Sequence, residues 1–255
     1  MSRSVSASAK ALLILMLTAA SPLSSQTNLP AQTITFSSNK WAVRQTTEPE
    51  GPMANMFGGR DLSVFLNADG SLTLAITYRE GLWYAGEVTL QKRTGYGTYL
   101  FRLRTPPAGL DQNTVLGLFT YSSANAYFHR EIDIEFSAWG QAKAPVLGQY
   151  VIQPYDAAGH MTTFGLSGID GQATYSFAWR EDRVEFASWK GYGLRPEAGS
   201  PALISAWTFS DPKAIPKPSA NIHLNFYLAH GDIPPSGRGL LAVTIDSFEF
   251  IPEQK

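Results

Sequence analysis

The sequence contains no cysteine, which excludes disulfide bonds, zinc sites built on thiolates and cysteine nucleophiles. The fold must therefore be held by its core, without covalent cross-links. Charged residues are few, at 16%, and they are balanced, with 20 Lys and Arg against 21 Asp and Glu. No excess of one sign is available to attract nucleic acid or an anionic membrane, so we expect a neutral partner.

Long apolar runs are also lacking beyond the N-terminal region. Residues 11–20 are mostly apolar, follow the basic residues Arg3 and Lys10, and precede small polar residues. Ten residues are too few to span about 30 Å of hydrocarbon. The pattern therefore predicts an export signal at residues 1–26 and a secreted or periplasmic protein. We expect one domain over residues 27–255, a monomer, and no membrane contact after signal removal.

Short segments of alternating polarity, separated by Gly, Pro, Asn and Asp, dominate the rest of the chain and predict an all-β sandwich or barrel. A segment with three prolines, 211–220, predicts a surface loop. The predicted strands are 62–66, 72–78, 86–92, 97–104, 114–121, 131–137, 147–153, 174–179, 183–188, 221–227 and 240–251.

One predicted strand carries three acids, Glu131, Asp133 and Glu135, that alternate with apolar residues. Alternation places the three carboxyl groups on one face of the strand and the apolar side chains on the other. The two Glu Cα atoms are then roughly 13 Å apart, so their carboxyl groups can approach the separation of about 5–5.5 Å that suits retaining glycoside hydrolysis. Like charges this close also raise the pKa of at least one acid.

Two other interpretations of this segment remain open at this point. The acids could form a solvated charged face, or they could bind calcium, which prefers carboxylate oxygens. A straight strand wraps a seven-coordinate ion poorly, however, and the surroundings are rich in aromatic side chains of the kind that stack on sugar rings. These are Phe119, Tyr121, Tyr127, Phe128 and Trp139.

The segment Glu-Ile-Asp-Ile-Glu-Phe at 131–136, with the strands at 86–88, 96–102 and 117–121, resembles glycoside hydrolase family 16. The likeness is closest to the bacterial β-1,3-1,4-glucanases (lichenases). The resemblance implies a concanavalin A-like β-jelly-roll sandwich with a concave substrate cleft, and endo-acting, retaining hydrolysis of a β-glucan-type polysaccharide. It also assigns Glu131 as the nucleophile, Glu135 as the acid/base and Asp133 as the residue that tunes them.

The same resemblance suggests substrate-binding positions, some of which have a structural alternative. Asn55 could instead form a turn, Glu87 could be a solvated strand residue, and either Phe119 or Tyr121 could pack in the core. The suggested positions are Asn55, Glu87, Phe119, Tyr121, His129, Gln149, Gln153, Asn225 and Tyr227. Three residues depart from the lichenase pattern and leave the substrate open: His129 and Tyr227 stand where lichenases have Trp, and Thr89 stands where they have Arg.

We predict no cofactor, although the resemblance leaves room for a structural calcium ion whose ligands the sequence does not identify. His160, His223 and His230 show no metal-ligand spacing. Trp139 and Trp189 follow predicted strands and are expected at the rim of the cleft. Two rival functions share the same site: a transglycosylase, in which a sugar hydroxyl replaces water, and a non-catalytic carbohydrate-binding sandwich.

Overall fold

The structure, a computed structural model, describes residues 31–254 of the 255-residue chain. The predicted export signal lies outside the described residues. Within residues 31–254, no helix is long and apolar enough to cross a membrane.

The described chain is built from strands, with two single-turn segments at Pro107–Gly109 and Phe128–Arg130. The strands are β1 (Gln32–Phe36), β2 (Asn39–Val43), β3 (Met56–Phe57), β4 (Val64–Leu66), β5 (Leu72–Ala75), β6 (Thr77–Arg79), β7 (Leu82–Leu90), β8 (Gly97–Leu103), β9 (Thr114–Tyr121), β10 (Ile132–Ser137), β11 (Leu147–Ile152), β12 (Met161–Phe164), β13 (Ala173–Trp179), β14 (Val184–Lys190), β15 (Leu203–Phe209), β16 (Asn221–Leu228) and β17 (Ala242–Pro252).

These strands form two sheets that pack face to face as a jelly-roll sandwich, which confirms the predicted fold class. The larger sheet has the order β1-β2-β7-β16-β9-β10-β11-β12, with β3 and β6 also paired to β7. The smaller sheet has the order β15-β14-β13-β8-β17-β5-β4. Strand β10 therefore lies inside the larger sheet, between β9 and β11, where both of its edges are hydrogen-bonded.

The predicted strands are present with shifted ends, except that 72–78 is divided into β5 of the smaller sheet and β6, which pairs with β7 of the larger one. Segment 211–220 contains no strand. Strands β1, β2, β3, β12 and β15 were not predicted. Two of them, β1 and β12, lie next to only one neighbouring strand in the larger sheet. Strand β12 buries only Phe164, so its alternation is weak, whereas β1 does alternate, with Ile34 and Phe36 buried between exposed threonines.

The core between the sheets is aromatic and includes the apolar face of β10. Ile132, Ile134 and Phe136 have no exposed surface, while the side chains between them point to the opposite, open face of the larger sheet. Trp41 and Trp179 are likewise fully buried. Burial of the Ile and Phe side chains, worth about 1.5–3 kcal/mol each, fixes the acids on the open face, because a shift of one residue would exchange the two faces.

Candidate active site

Glu131, Asp133 and Glu135 lie on the open face of the larger sheet, as the alternation predicted. Asp133 is buried, with 2% of its surface exposed. Glu131 and Glu135 are partly exposed. Acids that border the solvent without being fully hydrated are suited to proton transfer, since their pKa values are free to rise.

The strand register aligns a row of polar residues through Glu135. Gln149 on β11 and Gly117 on β9 flank Glu135 directly. The row continues to Asn225 on β16 and Glu87 on β7. Neighbouring strands are about 4.8 Å apart, so Glu87 lies roughly 14 Å across the sheet from Glu135. The sequence predicted four of these five residues as site residues; Gly117 was not among them.

A second row runs through Asp133 and contains aromatic rings. Phe119 pairs with Asp133, and His223 on β16 pairs with Phe119. The rings of Phe119 and His223 stack, with centroids 5.1 Å apart. Two residues along β9, Tyr121 stacks on His129 at 5.0 Å with an angle of 8° between the rings. Phe119 and Tyr121 are both partly exposed on the open face, so neither belongs to the core.

Two glutamines, one on β11 and one just after it, hydrogen-bond two of the acids. Gln149 donates from Nε2 to Glu135 Oε2 at 2.6 Å. Gln153, just after β11, donates from Nε2 to Asp133 Oδ2 at 3.1 Å, and its own Oε1 accepts from the backbone N–H of Tyr155. Both were predicted as site residues, and the structure places both against the acids.

Burial raises the pKa of all three carboxyl groups, and the charges of Glu131 and Glu135 add to the rise at their neighbours. Burial raises the pKa of Glu131 to about 8, the charge of Glu135 adds to the rise, and a hydrogen bond with Asp133 opposes it. Burial, followed by the charges of Glu131 and Glu135, raises the pKa of Asp133 well above its usual range. Burial raises the pKa of Glu135 to about 7, against the hydrogen bond from Gln149.

The hydrogen bond between Asp133 and Glu131 acts on the two groups in opposite directions. It lowers the pKa of Glu131 and raises that of Asp133, which favours a proton on Asp133 and ionisation of Glu131. When Glu135 is also protonated, its charge no longer raises the pKa of Glu131. Because the groups titrate together, a proton on Asp133 and a proton on Glu135 each favour the ionised form of Glu131.

A buried ion network occupies the far side of the face. Glu87, with 4% exposure, pairs through Oε2 with Arg44 Nη1 at 2.8 Å and through Oε1 with His223 Nδ1 at 2.9 Å. Burial alone would raise the pKa of Glu87, but His223 and Arg44 together hold it below its usual value. Arg44 also lies 3.8 Å from the ring centre of Phe57.

Sequence reasoning missed both partners of Glu87. His223 alternates with Asn225 and Tyr227 on one strand, and this pattern could have revealed it. Arg44 follows β2, a strand that was not predicted.

The remaining predicted residues occupy more enclosed positions. Both amide hydrogens of Asn55 bond to backbone oxygens, those of Pro52 and Leu228, and its Oδ1 accepts from the N–H of Leu228. These bonds tie the loop before β3 to the end of β16.

Tyr227 is buried at 3% exposure, and burial followed by the charge of Glu135 raises its pKa. Asn225 Oδ1 is buried and has no hydrogen-bond partner among the described residues. Substrate contact by any of the three stays a prediction.

The segment that leads into Glu131 has a rare backbone conformation. Tyr127, Phe128, His129 and Arg130 have φ values of 54°, 46°, 61° and 55°. Such left-handed geometry costs L-residues roughly 1–2 kcal/mol each, and it is found mostly where the surrounding structure enforces it. His129 Nδ1 donates to the carbonyl oxygen of Ser122 at 3.0 Å, which helps to hold the segment.

The prediction that Trp189 lies at the cleft rim is wrong. Trp189 belongs to β14 of the smaller sheet, has 3% exposure, and donates from Nε1 to the carbonyl oxygen of Gly193. Its position near the end of a strand suggested exposure, but the strand extends one residue past it. Trp139 is partly buried against the core.

No group of three or more His, Cys, Asp or Glu side chains suited to a metal ion occurs in residues 31–254. A surface depression does occur elsewhere, lined by Arg180, Glu181, Asp182, Arg183, Pro212, Lys217 and Glu253. It lies beside the turn between β13 and β14 of the smaller sheet and includes none of the three acids.

No family model and no curated protein matches the sequence, but solved structures share its fold. A β-glucanase of Bacillus licheniformis aligns with a TM-score of 0.58 at 17% identity, over 84% of this chain and 92% of that one. A glycosyl hydrolase family 16 protein of Mycobacterium smegmatis aligns at 0.55 and 14% identity, over 83% and 91%. An immunostimulatory antigen and pseudo β-1,3-glucanase of Mycobacterium tuberculosis aligns at 0.56 and 18% identity, over 84% and 91%.

Proposed function

We propose that this chain is a secreted or periplasmic endo-acting hydrolase of glycoside hydrolase family 16 that cleaves a β-glucan-type polysaccharide with retention of configuration. The observation that carries the proposal is the row of three carboxyl groups on one open sheet face, in which a hydrogen bond joins Asp133 and Glu131. The fold alone does not carry it, because a protein described as a pseudo-glucanase has the same fold.

The proton arrangement supports the assignment of roles. Glu135, with a pKa raised to about 7, keeps a proton near neutral pH and can protonate the glycosidic oxygen as the bond breaks. In its ionised form, which a hydrogen bond from protonated Asp133 favours, Glu131 can attack the anomeric carbon. A glycosyl-enzyme then forms on Glu131. Glu135, now ionised, deprotonates the water that hydrolyses this intermediate.

The rest of the face is suited to an uncharged sugar chain. Amide groups and partly exposed aromatic rings surround the acids, and the cation Arg44 is already paired with Glu50 and Glu87 at 2.8 Å each. A polyanionic glycan would therefore find little unpaired positive charge here, and would meet the acids themselves. Stacking on Phe119 and Tyr121 with hydrogen bonding by Gln149 or Asn225 would suit a β-glucan.

The test is activity on a panel of mixed-linkage β-glucan, laminarin, xyloglucan and a galactan, with wild type, Glu131→Gln and Glu135→Gln. We expect hydrolysis of at least one polymer by wild type, and a loss of at least about a thousandfold in each variant. Proton NMR of the first product should show the β-anomer. An α-anomer would contradict the mechanism.

Two further outcomes separate the rival functions. Glycan binding without cleavage or transfer by wild type would identify a carbohydrate-binding sandwich and refute the hydrolase. Longer products in place of reducing ends would identify a transglycosylase on the same residues, because a sugar hydroxyl would then intercept the glycosyl-enzyme in place of water.

A further inference from the structure

The three acids of β10 are not supported equally by the sheet. Asp133 and Glu135 lie inside the strand, paired with β9 on one side and β11 on the other. Glu131 precedes the first residue of β10 and directly follows the left-handed segment Tyr127–Arg130. Its position therefore depends on contacts other than the regular strand ladder.

One hydroxyl group supplies such contacts on both sides of Glu131. Thr120 on β9, which has no exposed surface, donates from Oγ1 to the carbonyl oxygen of Arg130 at 2.7 Å. The same oxygen accepts from the N–H of Ile132 at 3.0 Å. These two peptide groups are the ones that determine φ and ψ of Glu131, which are −88° and 123°.

We propose that Thr120 is a positioning residue whose hydroxyl clamps the two peptide groups flanking Glu131 and so holds its carboxyl group against Asp133. The inference rests on the proposed function for its effect on catalysis. Its structural part, the position of the Glu131 carboxyl group, can be measured whether or not the protein is an enzyme.

Other bonds hold the segment as a whole and remain when the hydroxyl is removed. The N–H of Ser122 donates to the carbonyl oxygen of His129 at 2.7 Å. The N–H of Glu131 donates to the carbonyl oxygen of Phe128 at 3.4 Å, and the carbonyl oxygen of Glu131 accepts from the N–H of Gln153 at 3.2 Å. Both bonds of Glu131 are longer than the two bonds of Thr120. Loss of the Thr120 hydroxyl should therefore displace Glu131 locally and leave the sandwich folded. A small displacement matters, because an error of about 1 Å in a catalytic group can lower the rate a hundredfold.

The experiment compares two substitutions. Thr120→Val keeps the shape of the side chain and removes its hydrogen bonds to Arg130 and Ile132, whereas Thr120→Ser keeps the hydroxyl group. Thr174→Val is the matched control. Thr174 is also fully buried and donates to a backbone carbonyl oxygen, that of Gly191 at 2.7 Å, but it lies in the smaller sheet. Thermal unfolding of all variants reports the general loss of stability.

We expect Thr120→Val to lower kcat at least about tenfold with KM within about twofold, and Thr120→Ser to retain most of the rate. Thr174→Val should lose stability without losing rate. The acidic limb of the kcat/KM profile should move to higher pH in Thr120→Val, since the bond from Asp133 that favours ionised Glu131 is weakened. If Thr120→Val does not fold, Thr120→Cys, with a weakly bonding thiol of similar size, takes its place.

A second readout does not require activity. The ¹³C signal of the Glu131 carboxyl group, assigned by its absence in Glu131→Gln, is titrated in wild type and in the three variants. We expect a midpoint at higher pH in Thr120→Val only. The titratable groups whose charges act with Glu131 are Asp133, Glu135, Tyr121 and Tyr227, and all are kept in these variants.

The outcomes are separable. A wild type inactive on every glycan refutes the proposed function, while the titration still tests Thr120. An unchanged Glu131 midpoint in Thr120→Val refutes the clamp, and so does an equal loss of kcat in Thr174→Val.

Discussion

Gln149 donates a 2.6 Å hydrogen bond to Glu135 from the position directly opposite it on β11. This bond opposes the effect of burial, which raises the pKa of Glu135 to about 7. A donor to the ionised form lowers a carboxyl pKa, so the identity of residue 149 should adjust the pH range in which Glu135 acts as an acid.

Gln149→Leu should therefore raise the pKa of Glu135 further. The alkaline limb of the kcat/KM profile, which reports loss of the acid proton, should move up by roughly 0.5–1 pH unit. Thr163→Val is the control, because Thr163 pairs with Gln149 from β12, one strand farther from Glu135. An alkaline limb that stays in place or moves down in Gln149→Leu would contradict this role.

The cost of holding Glu135 in a buried site should appear as pH-dependent stability. Its pKa in the folded protein is above the unfolded value of about 4.3, so the folded state binds more protons and stability falls as pH rises from about 4 to about 7. Glu135→Gln removes this cost. We expect its free energy of unfolding to exceed that of wild type by about 1–3 kcal/mol at pH 8 and by little at pH 3.5.

Denaturant unfolding at the two pH values measures this difference. Glu80→Gln, at an exposed turn, is the control and should change stability by less than about 0.5 kcal/mol. Equal effects of Glu135→Gln at pH 3.5 and pH 8 would mean that burial does not perturb this carboxyl group.

Removal of Arg44 should destabilise the protein by leaving Glu87 buried with only His223 as a partner. Breaking a buried ion pair costs about 3–5 kcal/mol, and since Arg44 is one-quarter exposed we expect about 2–3 kcal/mol for Arg44→Met at neutral pH. The pKa of Glu87 is held below its usual value. The pair therefore stabilises the fold above the unfolded pKa of about 4.3, and the loss should shrink as pH falls below it.

Arg79→Met provides the comparison, because Arg79 pairs with Glu80 at the surface, where both side chains are more than half exposed. That change should cost less than about 1 kcal/mol. The double variant Arg44→Met with Glu87→Gln should recover part of the loss, since it leaves no unpaired charge. Equal destabilisation by Arg44→Met and Arg79→Met would show that the ion pair of Arg44 with Glu87 contributes no more to stability than a surface pair.

Gly117 leaves the space beside Glu135 that a side chain would fill. A Cβ atom there would lie 2.5 Å from Asn225 Oδ1 and 3.3 Å from Phe119 Cδ1. Gly117→Ala should displace both side chains and lower kcat/KM by about tenfold or more. Gly165→Ala, where no atom lies within 4 Å of the new Cβ, should leave kcat/KM unchanged. Wild-type kcat/KM in Gly117→Ala would show that this spacing does not matter.

The sequence predicted the parts of the site that follow from local alternation. Ile132 and Ile134 point inward, so the acids must point outward, and Gln149 and Gln153 follow by the same period on the next strand. Such patterns need only neighbouring residues along the chain. The contacts of the Thr120 hydroxyl could not be predicted in this way, because they depend on the left-handed turn before Glu131. That turn contains no glycine, so the sequence gives no sign of its positive φ angles.

Long-range partners were missed for a related reason. Arg44 reaches Glu87 from 43 positions earlier in the chain, and the pairing of β2 with β7 cannot be derived from either segment alone. Trp189 shows the opposite error, in which a residue placed near a strand end was taken as exposed although β14 continues to Lys190.

The central claim, that Glu131 is the nucleophile of a retaining hydrolase, is tested most directly by trapping the covalent intermediate. The protein is incubated with an activated 2-fluoro β-glycoside derived from the polymer it cleaves, and the labelled peptide is identified by mass spectrometry. The account predicts one label, on Glu131, and none in Glu131→Gln. A label on Glu135, or efficient cleavage of the polymer with no covalent label, would contradict it.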